Sequence, residues 1–120
     1  IHLNLVFVRP PKEDPMAGVT DAERRRLEER TAYMDGEVGY QHIQGTKPQT
    51  LGYGLNDSPA GLAAWIAEKF HKWTQHSGNP EEAVSRDHLL TNIGIYWFTR
   101  TITSSVRMYY ESRHYEGRPW

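Results

Sequence analysis

Cysteine is absent from the 120 residues, which excludes a disulfide framework and a thiolate metal site and removes redox chemistry as a guide to compartment. No apolar run approaches the ~20 residues needed to span a bilayer. Neither sign of charge dominates: 14 Lys plus Arg stand against 15 Asp plus Glu, a formal net charge of −1. That balance gives no electrostatic reason to expect nucleic acid or an anionic membrane as partner. No charged n-region of a signal peptide precedes the apolar start at Ile1. No Gly-x-Ser-x-Gly elbow occurs, so no nucleophile sits on a strained strand-to-helix turn. Gly52-Tyr53-Gly54 has no following Lys-Ser or Lys-Thr, which makes it a turn rather than a phosphate cradle. The six histidines include no pair at the i, i+4 spacing of a helical zinc site, and surface or capping roles are the expectation for them. No metal or cofactor is expected.

A chain of this length suits one domain, hiding roughly 60 to 70% of its unfolded surface if it folds alone. Leu3, Leu5 and Phe7 alternate with His2, Asn4 and Val6, which predicts a short strand over residues 1–9. The Arg9-Pro10-Pro11 run stops it, because proline cannot donate to a ladder. One strand cannot satisfy its own backbone groups. Together with a start at Ile1 rather than Met, that reads as a piece of a longer protein whose partner strands lie elsewhere. Residues 10–19 read as linker, residues 20–116 as a helical domain and residues 117–120 as a loose tail.

Within the helical part, Thr20-Asp21-Ala22-Glu23 has the spacing of a capping box, predicting a charge-rich, solvated helix to about Met34. Six glycines and prolines between Gly36 and Gly54 predict an irregular stretch with one helical turn around Tyr40 to Gln44. Ser58-Pro59 opens a helix to Trp73 or Thr74. Its Leu62, Trp65, Ile66, Phe70 and Trp73 form one apolar stripe. Asp57 beside that start reads as capping and dipole compensation. After a turn at His76 to Pro80, Ser85 caps a last helical region, in which Leu89, Leu90, Ile93, Tyr96 and Trp97, then Ile102, Val106 and Tyr109, recur at helical spacing. A bend or break is expected between Thr99 and Ser105. Trp65, Trp73, Trp97 and Phe98 are expected mainly as helix packing.

Two tyrosines stand out as proton donors. Tyr109 shares a face with Ile102 and Val106, and Tyr40 follows Gly39, where the backbone can aim a side chain. From the residues alone, each reads as a packed core tyrosine with a satisfied hydroxyl.

Three ordered blocks add to that reading. Gly39-Tyr40-Gln41-His42-Ile43-Gln44-Gly45-Thr46-Lys47-Pro48-Gln49-Thr50, Leu55-Asn56-Asp57-Ser58-Pro59-Ala60-Gly61-Leu62-Ala63-Ala64-Trp65-Ile66, and Leu89-Leu90-Thr91-Asn92-Ile93 to Tyr96-Trp97 resemble the cap region of epoxide hydrolases of the microsomal and juvenile-hormone type. The resemblance runs from about Gly39 to Glu111. Residues 1–38 match in general character only, as the strand after the nucleophile elbow and the approach to the cap. It implies a mainly α fold, the helical cap or lid of an α/β-hydrolase, with the N-terminal strand belonging to a core sheet outside this sequence. In that family a core aspartate attacks an epoxide carbon to form an ester, a histidine paired with an acidic residue activates water to hydrolyse it, and two cap tyrosines hold and protonate the epoxide oxygen.

The first of those tyrosines falls on Tyr40. The second falls on Tyr109, in Ser104-Ser105-Val106-Arg107-Met108-Tyr109-Tyr110-Glu111, where the register of Ser104, Ser105, Arg107 and Glu111 selects it over Tyr110. The implied partners are a small-molecule epoxide and the α/β-hydrolase core of the same protein, with no nucleic acid. By itself the chain would lack nucleophile, base and acid and would be inactive, and its uncovered apolar surface would favour self-association. Location points to the cytoplasm and leaves open a membrane anchor of the parent protein. Competing expectations are a helical interaction module, in which the Tyr40 and Tyr109 hydroxyls do not converge, and the cap of another α/β-hydrolase such as a haloalkane dehalogenase relative.

Overall fold

The computed structural model describes residues 12–116; the strand expected over residues 1–9 and the tail 117–120 lie outside the described residues. Two compact units divide the chain, Ile1–Val38 and Gly39–Trp120.

In the first unit, residues 12–20 carry neither helix nor strand and lead into α1 (Asp21–Glu37). The capping box forms as expected: the Glu23 amide donates to Thr20 Oγ1 at 3.3 Å, and the Thr20 amide donates to Glu23 Oε2 at 2.8 Å. Two helix-end donors are thereby satisfied reciprocally. No residue of α1 is buried, in keeping with its scarcity of apolar positions.

The second unit contains α2 (Gly39–Thr46), α3 (Pro48–Asp57), α4 (Pro59–Trp73), a single 3₁₀ turn (Pro80–Glu82), α5 (Arg86–Thr99) and α6 (Ile102–His114). Two helices therefore occupy a stretch whose glycines predict irregular chain. The reason lies in what those glycines face. A Cβ on Gly52 would come within 2.6 Å of Thr103 Oγ1 and 3.1 Å of its Cβ, and one on Gly45 within 2.5 Å of the Arg113 guanidinium. They are points of close approach to α6 rather than breakers, and α6 packs most extensively against α2 and α3. Pro48 stands in the first turn of α3, where its missing donor costs nothing. Asn56 donates its side-chain amide to Thr103 Oγ1 across the same interface.

Ser58 opens α4 by accepting from the Gly61 amide at 3.0 Å, and Asp57, rather than starting that helix, is the last residue of α3. Ser85 likewise caps α5, with Asp87 in its first turn. The break between α5 and α6 falls at Arg100, whose φ of 54° is left-handed. α6 begins two residues later, at Ile102.

Leu55, Leu62, Ile66, Ile102 and Val106 form the buried core, and Leu51, Trp65, Phe70, Leu89, Ile93, Tyr96 and Trp97 pack on it. The α4 stripe and the Ile102/Val106 face supply four of its five central residues, as periodicity predicts. Trp73, 54% exposed, departs from the helix packing expected of it, and so does Phe98. Phe98 is 85% exposed because it lies one position past Trp97 and thus on another face of α5. Among the described residues, no helix is long and apolar enough to cross a membrane.

Candidate functional site

One helix face of α2, the end of the α4 stripe and the middle of α6 converge on a cavity of about 430 Å³, to which α5 adds Asn92 and Tyr96. Its wall is chiefly apolar and aromatic: Trp65, Ile66, Phe70, Trp73 and Ile102. Both tyrosines singled out from the sequence stand in that wall. Tyr40 comes from the first turn of α2, and Tyr109 from α6, two turns beyond the buried Ile102. Their rings meet edge to face with centroids 5.9 Å apart, and the Tyr40 ring also meets Trp73 at 5.3 Å. Neither is a core tyrosine: Tyr109 is 37% exposed and Tyr40 is half-buried. Tyr110 stacks on His114, with ring centroids 4.0 Å apart.

The phenols are embedded in polar contacts that periodicity does not reveal. Gln41 Nε2 donates to Tyr40 Oη at 2.9 Å. Burial pushes the Tyr109 phenol above its ordinary value of 10.0; the adjacent Tyr40 phenol adds to the rise, through charge and a hydrogen bond, while a hydrogen bond with Gln44 opposes it. Gln44 is itself buried, at 5% exposure. Lys69 holds its ammonium 4.7 Å from the centre of the Tyr40 ring and 5.5 Å from that of Trp73, while pairing with Glu68 Oε2 at 2.6 Å. The ammonium therefore places a cation on the aromatic face that attracts it.

One signal for Lys69 was present in the sequence. Trp65, Lys69 and Trp73 are spaced i, i+4, i+8, so the lysine had to share the flank of the apolar stripe. Nothing comparable marked Gln41 or Gln44. Among the described residues, no group of three His, Cys, Asp or Glu side chains could hold a metal ion.

This arrangement can present two neutral hydroxyls to one small ligand in a largely apolar recess. Such a site suits a ligand with an apolar body and one oxygen on which negative charge develops. Among the described residues, no carboxylate or histidine lines the cavity wall.

No family model matches the sequence. Epoxide hydrolase 1 of Oryctolagus cuniculus is 41% identical over 121 residues, covering 92% of this chain and 27% of the rabbit protein. Juvenile hormone epoxide hydrolase of Bombyx mori is 43% identical over 99 residues, covering 75% of this chain and 22% of that protein. The crystal structure of juvenile hormone epoxide hydrolase from the same silkworm superposes with a TM-score of 0.70 at 41% identity, over 82% of this chain and 26% of that one. The chain thus spans about a quarter of the length of the relatives it matches. By sequence and by fold, it is homologous to one helical segment of the epoxide hydrolases of the microsomal and juvenile-hormone type.

Proposed function

We propose that this chain is the helical cap of an epoxide hydrolase, and that Tyr40 and Tyr109 hold and protonate the epoxide oxygen over an α/β-hydrolase core of the same protein. The observation that carries the reading is the meeting of the two phenols in one apolar-walled cavity, with ring centroids 5.9 Å apart. An interaction module has no need for that convergence.

The chemistry follows from charge. A carboxylate of the core attacks one epoxide carbon, the carbon–oxygen bond breaks, and its electron pair remains on oxygen. An alkoxide is a poor leaving group in water, so donors aimed at it lower the barrier as the charge develops. A phenol is a stronger acid than water and remains protonated at neutral pH. The raised Tyr109 phenol is held securely in the donor form. One phenol hydrogen passes to the oxygen; water then hydrolyses the ester, releasing a vicinal diol and restoring the carboxylate. The proton removed from water returns to the phenolate by way of solvent.

The test uses the full-length protein. In single-turnover measurements of ester formation with styrene oxide, Tyr40→Phe and Tyr109→Phe should each slow alkylation by ~10²–10³, the magnitude seen when one oxyanion donor is removed. Alkylation at the parent rate in both variants would overturn the assignment.

A further inference from the structure

We propose that Gln41 is a positioning residue that occupies the Tyr40 oxygen with its amide donor and so commits the Tyr40 hydroxyl hydrogen to the ligand, with the buried Gln44 amide supporting the same wall. This deepens, and rests on, the reading of the phenols as donors.

The argument begins with hydrogen-bonding capacity. A phenol offers one hydrogen and accepts through oxygen lone pairs, and its hydrogen rotates to whichever acceptor is nearest. A phenol beside a good acceptor within the protein therefore spends its hydrogen there. One beside a good donor keeps it free. Gln41 Nε2 donates to the Tyr40 oxygen at 2.9 Å. With its oxygen occupied by that amide, Tyr40 keeps its own hydrogen for another acceptor.

Burial gives a second and independent reason. Gln44 is the buried polar side chain among the described residues, although glutamine fills a core less well than leucine and a buried amide destabilises the fold unless its groups are paired. Its place on the cavity wall beside both phenols assigns that amide a task other than packing. Tyr40, Gln41 and Gln44 all project from α2, so one helix sets both the first donor and the amides beside it.

Replacement of Gln41 by Glu or Met distinguishes direction from bulk. Gln41→Glu keeps size and shape while turning a donor into an ionised acceptor, which draws the Tyr40 hydrogen away from the ligand. Gln41→Met removes the donor without supplying an acceptor. In single-turnover alkylation by the full-length protein, Gln41→Glu should approach the Tyr40→Phe deficit of ~10². The Gln41→Met rate should stay within about tenfold of the parent. The Gln41→Glu deficit should shrink as pH falls through the carboxylate range, where the protonated acid is again able to donate. Equal rates for the two variants at every pH would overturn the proposal. If Tyr40→Phe is slow while both Gln41 variants match the parent, the glutamine role alone falls. If Tyr40→Phe itself matches the parent, the donor reading and this one fall together. Gln41 is half-buried, and circular dichroism of both variants should match that of the parent.

Discussion

Tyr109 shows how a side chain's chemistry depends on neighbours from other helices. Its phenol is raised above 10.0 first by burial and then by Tyr40, with Gln44 pulling the other way. Tyr40→Phe should therefore lower the Tyr109 titration, and Gln44→Met should raise it, as read by ultraviolet difference titration of tyrosinate. Because the folded protein holds this group protonated beyond the range of the unfolded chain, its contribution to stability is complete below pH 10 and declines as pH rises through the folded value. Denaturant midpoints measured from pH 9 to 11 should fall in the parent, and fall less in Tyr109→Phe. The blocks around Tyr40 and Tyr109 single out two residues that share one cavity wall. The Gln41 amide on Tyr40 was not legible in the sequence, since a glutamine carries no period and adjacency in sequence does not say which way its side chain folds.

At the level of single helices, caps and stripes were readable because they are local. Thr20 with Glu23, Ser58 with Pro59, and Ser85 with Asp87 each open a helix where expected. The glycines between residues 36 and 54 misled for a physical reason. A residue without Cβ serves a turn and a close helix crossing equally well, and only the partner helix tells which. Gly52 and Gly54, two positions apart in α3, differ in this respect. A methyl at Gly52 collides with Thr103, whereas nothing lies within 4 Å of one at Gly54. Gly52→Ala should destabilise by about 1–2 kcal/mol, overpacking outweighing the gain in helix propensity. Gly54→Ala should stabilise by about 0.5–1 kcal/mol. Urea midpoints of the two variants, moving in opposite directions, check both.

For the molecule as a whole, the five-residue core and the outer surface of α5 make different demands. A recess lined by Leu90, Thr91, Gly94, Ile95 and Phe98 opens on that surface, and Phe98 and Ile95 are 85% and 57% exposed. The isolated chain should self-associate through this face, as a contiguous apolar patch implies. Sedimentation velocity over a concentration series should show a rising average mass, and Phe98→Ser should weaken association about tenfold, the effect of losing ~1.5 kcal/mol of apolar burial. Absence of any concentration dependence in the parent would remove the prediction. Periodicity could not expose the patch, because Trp97 and Phe98 are adjacent in sequence and only the fold decides which of two aromatics turns inward.

The position of Tyr109, two turns along α6 from Ile102 and one from Val106, carries a practical consequence for genetics. Those two residues are anchored in the core at 4% and 1% exposure, and the phenol inherits its coordinates from them. Under the proposed donor role of Tyr109, a screen of the full-length protein for lost activity will collect substitutions at Ile102 and Val106 alongside those at Tyr109, and the phenotype alone will not sort them. Growth at reduced temperature should do so: alleles of the anchor regain function when the fold is given more margin, while alleles of the donor remain silent at every temperature.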